Sequence, residues 1–151
     1  VATSDSSARP AAGPKLPPYG APITISQAKK VADAALAPAR ANGWTVVIAI
    51  ADTGGHLVYL EKMDETQVGS VAIAEAKARS AALFKRPTKT FQERLARGGD
   101  GLLVLGLAGV VPVEGGLPIV LDGKLIGALG VSGGSSAEDE ACAAAGAAAL
   151  R

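Results

Sequence analysis

The stretch Val113–Ser136, VEGGLPIVLDGKLIGALGVSGGSS, constrains the fold of this chain more than any other. Two apolar runs flank Asp122-Gly123, and a type I′ turn needs positive φ at both of its central residues. A two-residue turn there sets Val120 opposite Leu125 and Ile119 opposite Ile126. One face of the hairpin then carries Val120, Leu125, Leu129 and Val131. The other carries Ile119, Leu121, Ile126 and Ala128. Both faces are apolar and both require cover, one from the chain's own helices and the other from a second subunit. Gly127 and Gly130, inside the second strand, predict a bulge or the close approach of another backbone.

The elements around the hairpin follow from local signals. Thr24 and Gln27 form a capping box with Ile23 as the staple residue. Ala28, Val31, Ala32, Ala35, Leu36 and Ala39 then recur at helical spacing until Asn42-Gly43, with Pro38 loosening the last turn. Trp44–Ala51, WTVVIAIA, is a short β-branched run that reads as a buried strand. Asp52-Thr53-Gly54-Gly55 is turn chemistry, and His56–Lys62 is the return strand. Gln67–Lys85 reads as a helix whose inward stripe is Val71, Ala74, Ala78, Ala81 and Ala82, small enough to lie close on a sheet. Thr90 and Glu93 predict a capping box for a short helix ending near Arg97. The glycine-punctuated stretch 101–113 is expected to end in a strand leading into Glu114-Gly115-Gly116. Ser136 and Asp139 predict a third capping box, opening an alanine helix to Leu150.

The order α-β-β-α-α-β-β-β-α implies an α+β fold, a central antiparallel sheet of about five strands with helices packed on it. Residues 1–22 hold five of the nine prolines and no apolar period, which predicts an extended tail, with 16–22 lying on a neighbouring surface. Residues 23–151 form a single domain. The start at Val rather than Met matches a mature secreted or periplasmic protein, or a trimmed one. Net charge is +1 and aromatics make up only 3% of the 151 residues, so charge gives no argument for nucleic acid. No apolar run reaches membrane-spanning length. The single Cys142 cannot close an intrachain disulfide and reads as a small core residue.

Four features could carry chemistry. VSGGSS at a strand-to-helix junction offers backbone N–H groups to a phosphate, but Glu138, Asp139 and Glu140 in the first helical turn repel one, and a tight turn explains the motif. Asp52-Thr53-Gly54 matches the triplet of aspartic proteases, yet such an enzyme needs two aspartates sharing a proton, and a hairpin turn accounts for it. His56 is the sole histidine. It cannot build a zinc site alone, but it can serve as an axial ligand to haem iron. Finally, Asp52, Asp64, Lys77, Glu114 and Ser132 are polar groups that either converge at a pocket or stand apart.

ITISQAKKVADAAL, ADTGGHLVYLEKMD, AEAKARSAALF and above all GGLPI followed by IGALGVSGG and a helix with Asp139 resemble the GlcG/HbpS haem-binding-like family, over about residues 23–150. The chain departs mildly from that pattern. It has Lys62-Met63-Asp64 for Arg-Met-Asp, and Lys77-Ala78-Arg79-Ser80-Ala81 for Lys-Ala-X-Thr-Ala. The resemblance implies an antiparallel α+β domain, assembled as a homo-oligomer, that binds haem or another tetrapyrrole as a secreted or periplasmic accessory protein without catalysis. His56 is then the first candidate for the iron ligand, with Met63, Tyr59 and Tyr19 as alternatives. Lys62, Lys77 or Arg79 would meet the propionates, and Asp52, Asp64, Lys77, Glu114 and Ser132 would shape the pocket. The alternatives are a catabolic hydrolase or isomerase using Lys77 with a carboxylate, or a structural accessory oligomer.

Overall fold

The computed structural model describes residues 11–151; of the tail expected over 1–22, the first ten residues lie outside them. Helix α1 spans Ile25–Asn42, and its capping box forms as expected: Gln27 N–H donates to the Thr24 hydroxyl and Thr24 N–H to Gln27 Oε1. Gly43 closes the helix with φ 71°. Strands β1 (Val47–Asp52) and β2 (Leu57–Lys62) form an antiparallel hairpin, followed by α2 (Ser70–Phe84) and α3 (Thr88–Ala96). Strands β3 (Gly116–Leu121) and β4 (Lys124–Ser132) form the second hairpin, and α4 spans Ser136–Ala147.

The sheet is antiparallel in the order β2-β1-β4-β3. It therefore has four strands where five were expected. The strand expected before Glu114 does not form: residues 99–106 wind into a 3-10 helix, and 107–113 pair with no strand among the described residues. Glycines at 98, 99, 101, 106 and 109 interrupt any strand pairing there and leave Leu102, Leu103 and Leu105 more than half exposed. Helix α3 also starts earlier than its expected cap. Pro87 precedes it with φ −56°, and the hydroxyl of Thr88 is used on Gly116 rather than on the helix end.

The Asp122-Gly123 turn has φ of 50° and 74°, as a type I′ turn requires, and Val120 pairs with Leu125. One step further the expected register fails. Ile119 pairs with Gly127, leaving Ile126 as the extra residue of a bulge. The bulge reverses the inward side, so Ile119, Ile126, Leu129 and Val131 share one core with α1 and α4. That core also takes Val31, Leu36, Ile48 and Ile50. On the other side of the sheet α2 packs Ala74 and Ala78 on Val47, Ala49 and Ala51. The chain's own helices thus cover both faces of the second hairpin, and no second subunit is needed for that purpose. Gly130 lets this happen: a methyl group there would meet the backbone of α2 at Ala74 and Ala78.

Beyond the end of β1, residues 18–23 continue beside β4. Leu125 N–H donates to Pro18 C=O, Gly20 N–H to Leu125 C=O, and Ile23 N–H to Ile126 C=O. The Tyr19 hydroxyl reaches the carbonyl of Ala82 at 2.9 Å, and the Lys85 ammonium lies over its ring. No helix among the described residues is long and apolar enough to cross a membrane.

Candidate functional site

The turn joining β1 to β2 is built on Asp52. Its Oδ1 accepts the N–H groups of Gly54 and His56, each at 2.9 Å, and Asp52 N–H donates to His56 C=O. The same Oδ1 lies 3.3 Å from Nδ1 of His56. Burial pulls the Asp52 pKa upward, but the N–H groups of His56 and Gly54 and the adjacent imidazole outweigh it and hold the pKa below 3.8. This is a turn carboxylate whose Oδ1 is committed to the backbone of its own turn, not half of a proton-sharing dyad.

Between this turn and α2 lies an open groove of about 440 Å³. Ala51, Leu57, Ala72, Ala76 and Ala78 give it small apolar walls, and His56, Glu75 and Arg79 supply the polar groups. Small side chains leave room for a flat ligand, and the His56 side chain is 77% exposed at the rim. Arg79 sits beside Gly55, with a long 3.5 Å contact to its carbonyl, so among the described residues most of its guanidinium donors have no partner.

Of the six residues singled out in the sequence, His56 lines the groove and Asp52 supports it. The other four lie elsewhere. Lys77 is 1% exposed and donates to Val131 C=O at 2.8 Å and to Asp139 Oδ2 at 2.9 Å. Ser132 is buried at the end of β4, opposite Val47. Glu114 pairs with Lys89 at 2.9 Å, and its N–H donates to Gln92. Asp64 is exposed in the loop after β2. Lys77 is therefore a buried brace between α2, β4 and α4, unable to meet a propionate or a substrate in the groove.

Asp139 was the residue the sequence concealed. Ser135 and Glu138 form the capping box of α4, one residue before the expected Ser136-Asp139 pair. That shift frees Asp139 to take Lys77 and the N–H of Gly134. Burial raises the Asp139 carboxyl above its ordinary value, and Lys77 only partly offsets this. The neighbouring Glu140 is also raised by burial, while accepting the Gly115 N–H at 2.8 Å. With Asp139 and Glu138 occupying the N–H groups of Gly134 and Ser135, the VSGGSS loop has no phosphate cradle to offer. Burial lifts the Cys142 thiol to about 11, which leaves it an inert core group.

The other side chains considered as iron ligands are engaged. The Tyr59 hydroxyl donates to Glu61, which with burial raises its pKa and disfavours the phenolate. Tyr19 is bonded to the end of α2, and Met63 packs on the core. Among the described residues, no group of three or more His, Cys, Asp or Glu side chains is placed to hold a bare metal ion.

Residues 23–148 match the protein family described as "Haem degrading protein HbpS-like". The chain belongs to the HbpS-like family. Protein GlcG of Escherichia coli K12 is 44% identical over 94 residues, which cover 62% of this chain and 69% of GlcG. The crystal structure of HbpS superposes with a TM-score of 0.79 at 31% identity, covering 93% of this chain and 98% of that one. The crystal structure of a PduOC:heme complex superposes at 0.77 with 29% identity, covering 86% and 96%. The HbpS-like fold is thus shared over nearly the whole described chain.

Proposed function

We propose that this protein is a haem-binding accessory protein that takes haem, or a related tetrapyrrole, in the groove between the β1–β2 turn and α2. The observation that carries the proposal is the sole histidine at the rim of that groove, its Nδ1 3.3 Å from Asp52 and its side chain 77% exposed. Bound haem would bring an iron centre that needs an axial donor and two propionates that need cations. His56 suits the first need and Arg79 the second. The alanine walls remove apolar porphyrin surface from water without filling the slot. A relative of this fold in complex with heme supports the choice of ligand.

Assembly is a further part of the proposal. Leu102, Leu103 and Leu105, with Leu107 beside them, present an exposed apolar strip, and a second copy of the chain would remove it from water.

The test is a hemin titration followed by absorbance, on the wild type and on Ala72→Trp, which fills the groove from an exposed helix position. Saturable binding in the wild type, weakened at least tenfold by Ala72→Trp, is expected. Equal binding by both proteins would move the site elsewhere. The family's description as haem degrading favours a second reading, whose signature is a bound Soret band that decays when a reductant and dioxygen are both supplied.

A further inference from the structure

We propose that Asp52 positions His56, holding Nδ1–H so that Nε2 is the ring nitrogen presented to the groove. The proposal takes its purpose from the haem reading, but its geometry stands apart from it. Three observations support it. First, Asp52 Oδ1 is anchored by the N–H groups of Gly54 and His56 at 2.9 Å each, so the acceptor cannot swing away without opening the turn. Second, that oxygen lies 3.3 Å from His56 Nδ1. An ionised carboxylate only accepts, so its proximity favours the neutral imidazole with the proton on Nδ1 and the lone pair on Nε2. Third, the ring lies against the backbone of the turn. A Cβ at Gly54 would come within 2.9 Å of both Cε1 and Nδ1 of His56.

The third point has a specific consequence. Gly54 does not have positive φ, unlike its neighbour Gly55 at 78°. An alanine is therefore acceptable to the backbone at 54, and its methyl group acts mainly on the imidazole. Glycine at this position makes room for the ring. A carboxylate behind an axial histidine also makes it a stronger donor, which favours ferric over ferrous iron.

The experiment begins with the ligand-free, ¹⁵N-labelled chain, where the single histidine makes the ring signals unambiguous. Long-range proton–nitrogen correlation at about pH 8, above the ordinary histidine pKa, reads which nitrogen holds the proton. The wild type is expected to be predominantly the Nδ1–H tautomer, the reverse of free histidine. Asp52→Asn and Gly54→Ala are each expected to shift the population back toward Nε2–H. Gly54→Ala should unfold at the wild-type temperature, which separates loss of orientation from loss of fold. With hemin bound, Asp52→Asn should raise the reduction potential of the iron. A wild-type ring in the Nε2–H form, or variants with unchanged tautomers, would overturn the proposal. A wild type that binds no hemin but shows the Nδ1–H tautomer would overturn the haem reading and leave the positioning role standing.

Discussion

Replacing Lys77 by Met tests the buried brace. Methionine keeps most of the apolar stem but removes the ammonium that joins α2 to α4. Asp139, with 5% of its side chain exposed, then keeps only the Gly134 N–H. Breaking one side of a buried pair typically costs about 3–5 kcal/mol, because the surviving charge has no partner and little water. At about 2–4 °C per kcal/mol for a chain of this size, the midpoint of thermal unfolding should fall by roughly 6–20 °C. Removing both charges should be milder. In Lys77→Met/Asp139→Leu no buried charge is stranded, and Gly134 is exposed enough for its N–H to turn to water. Urea unfolding of the wild type, both single variants and the double should show a coupling energy of about 2 kcal/mol or more. A loss below about 1 kcal/mol in Lys77→Met, or singles that simply add, would refute the reasoning.

Three further outcomes are expected. In the folded chain Glu140 holds its proton more tightly than a free carboxyl of pKa 4.5, because of burial and then Glu114, against the Gly115 N–H and nearby lysines. That contribution to stability is present below the unfolded value and lost as pH rises through the folded one, so Glu140→Gln should lose less stability than the wild type on going from about pH 4 to neutrality. Parallel melting profiles would count against it. Gly130→Ala should destabilise by about 2 kcal/mol or more in chemical denaturation, since the added methyl meets helix backbone rather than a movable side chain. Light scattering after size exclusion should give a mass above the 15.0 kDa of one chain, reduced to that value by Leu103→Glu/Leu105→Glu; a wild-type monomer would remove the assembly proposal.

What the sequence disclosed was local. Asp122-Gly123, the Thr24 box and the Val71-to-Ala82 stripe each announce themselves within a few residues, and each is where periodicity and turn chemistry place it. Asp52 was likewise legible as a turn residue, because its partners are two and four positions away. The bulge at Ile126 was not. Ile126 and Gly127 both suit a buried strand, and only the strap at residues 18–23 and the neighbouring strand fix which one pairs with Ile119. Ser135-to-Glu138 and Ser136-to-Asp139 fit the capping pattern equally well on paper. The choice is settled by Lys77, 62 residues away from Asp139. The same distance hid the brace itself, and with it the separation of Lys77, Glu114 and Ser132 from the groove of His56. The leucines of the 3-10 segment misled for another reason: apolar content there signals exposed surface rather than a strand.

The most direct measurement is a hemin titration of the wild type beside His56→Ala, followed by the Soret band and by resonance Raman of the ferric complex. If haem sits in the groove on this histidine, the wild type gives a saturable shift and an iron–histidine signature, and His56→Ala loses the signature while its affinity drops at least tenfold. A wild type with no saturable shift would contradict haem binding, and a mutant with unchanged spectrum and affinity would contradict His56 as the ligand.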